Sequence, residues 1–443
     1  MVGSLYHPLI EEGLTTLKIR YDYRTDKEYI IAAKEWEEDI DWSEFNRTFY
    51  TNSLLTENDL WLNNKQTREL FAKYGQTEYL NEVFALLRKG KFHGLDCYYS
   101  KYKDIRFIAN LHSTNLGVNS KDYALYTGGI RRHTRDEKEI EVIKDGLNLG
   151  RAQSFKNALA KLHWGGGKIT VIADEVDLND KKELGFLAFA IDRVKFTTGP
   201  DMRYPVELAD VLKEYSAYIS AGSKNPIGPS GPPTAWGVHK AMNEAIKFHF
   251  GKRNAKGMKV AVMGLGSVGY SQAEFLIEDG AELIVCDINE ELSKKLVTQY
   301  PYAEIEVVNY KDILDIEADI LVPSAIGGFL TEEVINRVKF CMIFGGANNQ
   351  LFATNKEEEI RLAGLLKERG ILYQECWIQN IGGVISGMEM YTKGDKADKV
   401  TTMDRIGILC AEITRNNLNG AAKLNITPTE HAYNTIEGLI FKC

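Results

Sequence analysis

The sequence has little of what a membrane or secreted protein would carry. Among its 443 residues, no stretch approaches the roughly 18 uninterrupted apolar residues that a membrane-spanning helix needs. Residues 1–20 lack the apolar core of a secretion signal. We therefore expect a cytoplasmic protein that has no membrane partner.

Cysteine and histidine are scarce and scattered. The six cysteines include no CxxC pair, and the eight histidines form neither HxxxH nor HExxH. The common zinc and redox motifs are therefore missing, so we expect reduced thiols and no metal site. Positive charge is also in deficit, because the formal net charge is −8, and we do not expect nucleic acid as a partner.

The most informative feature that is present is a glycine-rich turn between two apolar runs. Its glycines are Gly264, Gly266 and Gly269, and Asp287 ends the second run. The first glycine permits a tight turn, the second lets the backbone approach a pyrophosphate, and the third lets the following helix pack closely. Asp287 can accept hydrogen bonds from both ribose hydroxyls and would repel a 2′-phosphate, so the pattern predicts NAD rather than NADP. A glycine-rich turn in an unrelated α/β protein is the alternative.

Apolar strand-like runs alternate with helical patterns on both sides of a proline- and glycine-rich segment, 225–234. This alternation predicts an α/β fold, with two α/β domains separated by a cleft and the second a Rossmann dinucleotide-binding domain. The expected limits are an N-terminal extension of unknown role at 1–78, a first α/β domain at 79–230 and the Rossmann domain at 231–394.

Polar residues that could do chemistry precede that segment. They are Arg131 beside the pair Gly128 and Gly129, Lys156, Lys168 after three glycines, and Asp201 in a turn. Two lysines in one pocket depress each other's pKa, so a neutral amine could activate water while its charged partner holds a carboxylate. A nearby aspartate could move a proton. The alternative is surface lysines, a turn aspartate and loop glycines.

Taken in order, these motifs resemble the glutamate/leucine/phenylalanine/valine dehydrogenase superfamily, and most of all its leucine/phenylalanine type. The likeness covers about residues 80–400. It rests on Gly-Gly-Ile-Arg at 128–131, Ser-Phe-Lys-Asn-Ala-Leu at 154–159, Gly-Gly-Gly-Lys at 165–168, Thr-Gly-Pro-Asp-Met at 198–202, Gly-Leu-Gly-Ser-Val-Gly at 264–269, Gly-Ala-Asn-Asn-Gln-Leu at 346–351 and Asn-Ile-Gly-Gly-Val-Ile at 380–385.

The resemblance implies a homo-oligomeric enzyme that reversibly converts an L-amino acid to a 2-oxo acid and ammonia, with a nicotinamide cofactor taking the hydride. It implies that Lys156 binds the substrate carboxylate, Lys168 assists attack of water on the imine, and Asp201 moves protons to and from nitrogen. The first domain becomes the substrate-binding and catalytic one, joined by C-terminal helices at 395–443. Other residues implied at the substrate are Gly128, Gly129, Gly165, Gly166, Leu116, Gly199, Asn380, Val384 and Gly387. Those implied at the cofactor are Gly264, Gly266, Ser267, Val268, Gly269, Asp287, Thr234, Ala325 and Asn348.

The resemblance also bears on which amino acid is bound. The glutamate branch has a lysine directly before the glycine pair, where this chain has Thr127. Burying a second carboxylate without that cation is costly, so glutamate is disfavoured. Glycine at two pocket positions, Gly199 and Gly387, leaves space for a bulky side chain, aromatic before branched aliphatic. Alternatively, the backbone shifts or Trp164 fills that space.

Three features depart from the family pattern. The N-terminal segment 1–78 and the segment 117–127 are longer, and Pro200 and Arg203 replace small residues beside the aspartate. These departures leave open a related NAD-dependent oxidoreductase that acts on a non-standard amino acid, imine or keto acid of a specialised pathway. A non-catalytic NAD-binding assembly protein is the last alternative, although both lysines and the aspartate are retained.

Overall fold

The computed structural model divides, by its own contacts, into two units, Met1–Asn225 and Pro226–Cys443. In the part of the chain that the structure describes, no helix has both the length and the apolar character needed to cross a membrane. The described residues are 3–36, 55–113, 125–220, 222, 225–353 and 355–441.

The first unit is a large mixed sheet with helices. Its elements are α1 (His7–Glu11), β1 (Thr16–Asp22), β2 (Lys27–Trp36), β3 (Leu55–Leu62), α2 (Asn64–Lys73), α3 (Thr77–Gly90), β4 (Gly94–Ser100), β5 (Ile105–Leu111), β6 (Tyr126–Thr127), β7 (Ile130–His133), α4 (Glu139–Leu159), β8 (Gly165–Ile172), α5 (Lys181–Val194), β9 (Phe196–Thr197) and α6 (Glu207–Leu212). In the described residues the strand order is β3-β2-β1-β4-β5-β8-β6-β9, and β7 also pairs with β8.

Strand β8 lies inside this sheet and is buried along its whole length. It runs antiparallel to β5 and parallel to β6 and β7. Two apolar clusters pack on the sheet, one around α5 and one around α3. A run such as Lys168-Ile-Thr-Val-Ile172 suits this position, because a strand buried on both faces is apolar without alternation.

The N-terminal residues are built into this unit. Strand β1 pairs antiparallel with both β2 and β4, so the described part of the extension continues the sheet. Glu139, at the start of α4, accepts hydrogen bonds from Leu5 N at 2.7 Å and from Ser4 Oγ at 2.8 Å. The expected limit at residue 78 therefore does not coincide with a structural boundary, because β1 and β4 share one ladder across it.

The second unit is a parallel sheet with helices. Its elements are α7 (Gly231–Phe250), β10 (Lys259–Met263), α8 (Ser267–Asp279), β11 (Glu282–Cys286), α9 (Glu290–Gln299), β12 (Ile305–Val307), β13 (Glu317–Pro323), α10 (Glu332–Arg337), β14 (Lys339–Ile343), α11 (Lys356–Glu368), β15 (Leu372–Tyr373), α12 (Cys376–Gln379), α13 (Gly382–Lys393), α14 (Lys399–Leu424) and α15 (Pro428–Ile440). In the described chain the order is β12-β11-β10-β13-β14-β15 with every pair parallel. In sequence order this is 3-2-1-4-5-6, the order of a Rossmann sheet, so the predicted α/β fold with a Rossmann unit is confirmed.

The C-terminal helices belong to this second unit, which corrects the expectation that they join the first. Helix α14 packs along α7, where Trp236 Nε1 donates to Met403 O at 2.9 Å. Gly237 permits the close approach, because a Cβ there would lie 2.8 Å from Cys410 Sγ. No local pattern in the sequence indicates this pairing, since the contacting residues are far apart along the chain.

Candidate active site

The glycine pair leaves room for a buried lysine. Lys168 is the fourth residue of β8, and its side chain is only 10% exposed. A Cβ on Gly129 would lie 2.7 Å from Lys168 Nζ and 3.1 Å from Asp201 Cβ. Any larger residue at Gly129 would therefore displace the amine.

Backbone hydrogen bonds to Ile130 of β7 position Asp201 beside Lys168. Ile130 N donates to Gly199 O at 3.0 Å, and Asp201 N donates to Ile130 O at 2.9 Å. Ile130 is also the register partner of Ile169 in β8, the residue after the lysine. One residue of β7 therefore positions both Lys168 and Asp201, and the structure brings this sequence-predicted pair together as an ion pair through Oδ2.

Arg131 completes a charged cluster with this pair. Its Nε and Nη2 donate to Asp201 Oδ2 at 3.1 and 2.9 Å. Burial alone would raise the pKa of Asp201, but the charges of Lys168 and Arg131 outweigh it and hold that pKa well below the ordinary value. Burial, assisted by the charge of Arg131, lowers the pKa of Lys168 against the opposing effect of Asp201.

The cluster continues away from the pair through residues that sequence reasoning missed. Arg131 Nη1 donates to Asp145 Oδ2 at 2.9 Å, and His133 Nε2 lies 3.4 Å from the same oxygen. His133 Nδ1 is 2.8 Å from Glu137 Oε2, and Glu137 also pairs with Arg203. The motif containing Arg131 was a signal for its position, but the aspartate on α4 and the histidine follow no local pattern.

The other residues predicted at the substrate include the glycine run and a lysine on α4. Gly166 N donates to Ser154 Oγ at 2.9 Å, and Lys156 follows two residues later on α4 and is half-buried. A Cβ on Gly165 or Gly166 would lie 1.9 Å from Ser113 O or 2.0 Å from Ser154 N. These two glycines permit close packing of backbone on backbone.

The remaining residues predicted on this side divide between described and undescribed segments. Gly128 is packed like the two glycines of β8, since a Cβ there would lie 2.0 Å from Gly167 O. Gly199 is half-buried and accepts from β7. Leu116, and all but the end of the 117–127 segment, lie outside the described residues.

In the second unit, the glycine fingerprint has the geometry that a dinucleotide needs. Gly264 follows β10 with φ of +96°, a conformation that favours glycine. A Cβ on Gly269 would lie 1.9 Å from Gly264 O, whereas one on Gly266 would meet nothing within 4 Å. The turn is therefore tight and the helix close, and space remains where a pyrophosphate would approach the start of α8.

The other residues predicted at the cofactor flank this turn. Asp287 follows β11, and its carboxylate accepts from Leu265 N at 2.6 Å and from Asn289 N at 2.8 Å. Ala325 follows β13 and lies against Gly264, where the strand order reverses. Ser267 and Val268 begin α8, and Ser267 is exposed. In a Rossmann sheet this switch point is where a dinucleotide binds.

A second group of predicted residues lies on α7, at the end of α12, on α13 and in the loop after β14. Asn380 Nδ2 donates to Gly346 O at 3.1 Å and to Asn348 Oδ1 at 2.9 Å, while its buried Oδ1 lacks a partner among the described residues. Thr234 Oγ1 would lie 2.7 Å from a Cβ on Gly383. Val384 and Gly387, one helical turn apart on α13, are half-buried.

The charged groups of the site are those described above. Across the described ranges, no three His, Cys, Asp or Glu side chains group in a way that would hold a metal ion. The groups able to stabilise charge are instead the lysine and arginine beside Asp201.

Comparison with known proteins gives consistent matches. The family described as "Glutamate/Leucine/Phenylalanine/Valine dehydrogenase" matches residues 285–436. Leucine dehydrogenase of Thermoactinomyces intermedius is 36% identical over 312 residues, which cover 69% of this chain and 80% of that protein. Phenylalanine dehydrogenase of Lysinibacillus sphaericus is 33% identical over 350 residues, covering 75% and 86%. The crystal structure of L-tryptophan dehydrogenase from Nostoc punctiforme superposes with a TM-score of 0.65 at 25% identity, covering 81% and 98%.

The Rossmann unit, the lysine–aspartate ion pair and these relatives define the class of protein as an oxidoreductase, an amino-acid dehydrogenase. The chain belongs to the glutamate/leucine/phenylalanine/valine dehydrogenase family, so the resemblance read from its motifs is confirmed.

Proposed function

We propose that the protein catalyses the NAD-dependent, reversible oxidative deamination of an apolar L-amino acid. In balanced form, the amino acid, NAD⁺ and water give the 2-oxo acid, ammonia, NADH and a proton. The observation that carries the proposal is the ion pair between the buried Lys168 and the half-buried Asp201 beside Gly129. The pKa of both groups is lowered, so the carboxylate is ionised and the buried amine gives up its proton more readily, which suits the pair to acid–base work.

Asp201 serves as the group that exchanges protons with the substrate nitrogen. Because its pKa is held low, it is ionised before the reaction and can accept a proton from the substrate ammonium. The same group returns a proton when ammonia leaves. The bound nicotinamide would supply one thing, an acceptor for the hydride from the substrate carbon.

Lys168 serves in the hydrolytic half of the reaction. Burial lowers its pKa, so at alkaline pH a neutral amine is available to take a proton from water as that water attacks the substrate imine. Once protonated, the same amine stabilises the oxygen of the tetrahedral product. Lys156, on the neighbouring helix, would hold the α-carboxylate and orient the substrate.

The residues of the second unit fit a dinucleotide, and Asp287 favours NAD. Its carboxylate is oriented by two backbone N–H groups and lies beside the glycine turn, where an adenine ribose would meet it. A 2′-phosphate there would face a fixed negative charge.

The substrate is proposed to be bulky and apolar, aromatic before branched aliphatic. Thr127 is buried in the strand that precedes the glycine pair and supplies no cation for a second carboxylate. Gly387 keeps space on α13, since a Cβ there would meet nothing within 4 Å.

Assembly into a homo-oligomer is part of the proposal. Strand β3 lies at one end of the sheet order in the described chain, and its Leu60 and Trp61 are 49% and 45% exposed. An open edge with exposed apolar side chains is a surface that a second copy could cover. Light scattering of wild-type protein and of Trp61→Ser would test it, because a lower mass is expected for the variant.

The direct test is NADH formation from NAD with each of the twenty L-amino acids at alkaline pH, with NADP as the control cofactor. We expect the highest rate with an aromatic amino acid and none with glutamate. Lys168→Ala should abolish turnover while NADH still binds, because the cofactor residues lie in the second unit. Lys144→Ala, an exposed lysine of α4 that pairs with Glu141, is the matched control.

The outcomes separate the alternatives. Normal kcat in Lys168→Ala would exclude the role given to that lysine. Silence across the panel with NADH binding intact would favour a non-standard substrate, and loss of NADH binding as well would remove the proposed function altogether.

A further inference from the structure

Arg131 bridges two carboxylates in the candidate site. One edge of its guanidinium gives Nε and Nη2 to Asp201 Oδ2 at 3.1 and 2.9 Å. Nη1 reaches both oxygens of Asp145, at 3.2 and 2.9 Å. The arginine side chain is only 15% exposed, whereas the side chains of Asp145 and Asp201 are 34% and 36% exposed, so water screens these contacts in part. A planar guanidinium with donors in a fixed fork transmits orientation from one carboxylate to the other.

The hydrogen-bond donors of Arg131 and Lys168 all contact the same oxygen of the Asp201 carboxylate. Both Arg131 contacts and the Lys168 contact fall on Oδ2 of Asp201. A carboxylate held in this way has a fixed plane, and its second oxygen, Oδ1, is the one left to exchange a proton. Proton transfer depends steeply on such placement.

Asp145 is a rigid anchor for the arginine. It lies on α4 next to Gly146, where a Cβ would come 2.1 Å from Asn110 Nδ2, so the helix is packed tightly on β5 at this point. His133 Nε2 also lies 3.4 Å from Asp145 Oδ2. The anchor is therefore fixed by both packing and charge.

Building on the proposed function, we propose that Arg131, held by Asp145, is a positioning residue for the reaction. It fixes Asp201 through Oδ2 and presents Oδ1 to the substrate nitrogen. Arg131 does not itself touch the reacting atoms in this role. The charged groups around it are Lys168, Asp201, Asp145 and, one contact further out, His133 with Glu137.

Two variants separate charge from geometry. In Arg131→Gln the positive charge is gone, so the acidic limb of kcat/KM against pH should move to higher pH and kcat should fall by about 100-fold. In Arg131→Lys the charge remains but the fork does not, so the limb should stay near that of the wild type while kcat still falls. Arg106→Gln is the control, because Arg106 contacts Asp104 through Nε and Nη2 at 3.2 and 3.1 Å away from Asp201.

The measurements use L-phenylalanine and L-leucine with NAD, plus one readout that needs no turnover. Acetic anhydride acylates neutral amines, so the labelling rate of Lys168, followed by peptide mass spectrometry, gives the pH at which half of this amine is neutral. That pH should rise in Arg131→Gln, because a repelling charge has been removed, and should not move in Arg106→Gln. Thermal melting and NADH binding verify that each variant is folded.

The results distinguish failure of the positioning role of Arg131 from failure of the proposed function. If Asp201→Asn is inactive while Arg131→Gln keeps the wild-type kcat and pH profile, the positioning role is wrong and the proposed function stands. If Asp201→Asn is fully active, the proposed function itself fails. If neither amino acid is turned over by the wild type, an unmoved labelling pH in Arg131→Gln overturns the positioning role.

Discussion

Glu35 on β2 and Arg193 on α5 form an ion pair that joins the N-terminal part of the chain to the helix covering the sheet. The glutamate side chain is 1% exposed and the arginine side chain 29%. Residues from the N-terminal extension thus take part directly in the packing of the unit that carries the lysine–aspartate pair.

Removing the Glu35 charge is expected to destabilise the protein. Glu35→Gln leaves Arg193 partly buried without its partner, which should lower the free energy of unfolding by about 2 kcal/mol, less than for a fully buried pair because Arg193 is partly hydrated. Urea denaturation measures this. Glu69→Gln, in an exposed pair with Lys65 at 3.8 Å, should change stability by less than about 0.5 kcal/mol. Equal effects of the two variants would contradict the prediction.

Substitution of two glycines of the candidate site should affect different properties: kcat for Gly129 and stability for Gly166. Gly129→Ala places a methyl group 2.7 Å from Lys168 Nζ, the flexible end of a side chain, so kcat should fall with little change in Tm. Gly166→Ala places one 2.0 Å from Ser154 N, which is backbone, so unfolding free energy should fall by about 1–3 kcal/mol. Melting curves and kcat are measured for both variants. A strongly destabilised Gly129→Ala would mean that this glycine serves packing instead.

Cofactor choice should depend on Asp287. Asp287→Ser removes the charge that would repel a 2′-phosphate, so the ratio of kcat/KM for NAD to that for NADP should fall by at least about 10-fold. Steady-state kinetics with both cofactors measure the ratio. Asp319→Ser is the control, since Asp319 accepts from Lys259 N at the opposite end of β10. A ratio that stays constant would show that Asp287 does not meet the ribose.

The stabilising effect of His133 should depend on pH. Burial alone would lower its pKa, but Asp145 and Glu137 raise it above the ordinary value. A group whose pKa is raised by folding stabilises fully below its unfolded pKa, about 6.5, and loses that effect as pH rises through the folded value. The stability difference between wild type and His133→Gln should therefore be larger at pH 5.5 than at pH 8.5.

Chemical denaturation at both pH values measures this difference, and His163→Gln controls for loss of an exposed imidazole. A stability difference that grows with pH would have the wrong sign and would rule out a protonated His133 in the folded state.

Glu137 affects stability in the acidic range. Its pKa is lowered to about 2, because His133, Thr134 and Arg203 together outweigh burial. Its contribution to the free energy of unfolding is therefore lost only as pH falls towards that value.

The second unit was predictable because its signal is local. Gly264, Gly266, Gly269 and Asp287 occupy one short strand–helix–strand segment, and each meets a steric or charge requirement within that segment. The strand order then follows from the rules for parallel sheets. For Lys168 and Asp201, which are 33 residues apart, the expectation of a shared site came from the resemblance of their motifs to the family.

The N-terminal strands were not predictable, because their structure is set by distant partners. Leu17 of β1 pairs with Cys97 of β4, and no turn signal links the two. The bridge from Arg131 to Asp145 has the same character, since it joins β7 to the middle of α4. Residues that meet only through tertiary packing follow no periodicity in the sequence.

The burial of β8 limits which amino-acid substitutions this enzyme can tolerate. Lys168 is in register with Asn110 of β5, and Asn110 Nδ2 donates to Lys168 O at 3.0 Å. A central strand of this kind exchanges its amide hydrogens only when the whole unit opens. Mutations within β8 therefore risk the fold together with the activity. Half-buried α13 positions such as Val384 and Gly387 can vary at lower cost. Divergence in substrate preference should accumulate at such positions, while the chemistry stays constant because the strand that carries it tolerates so little.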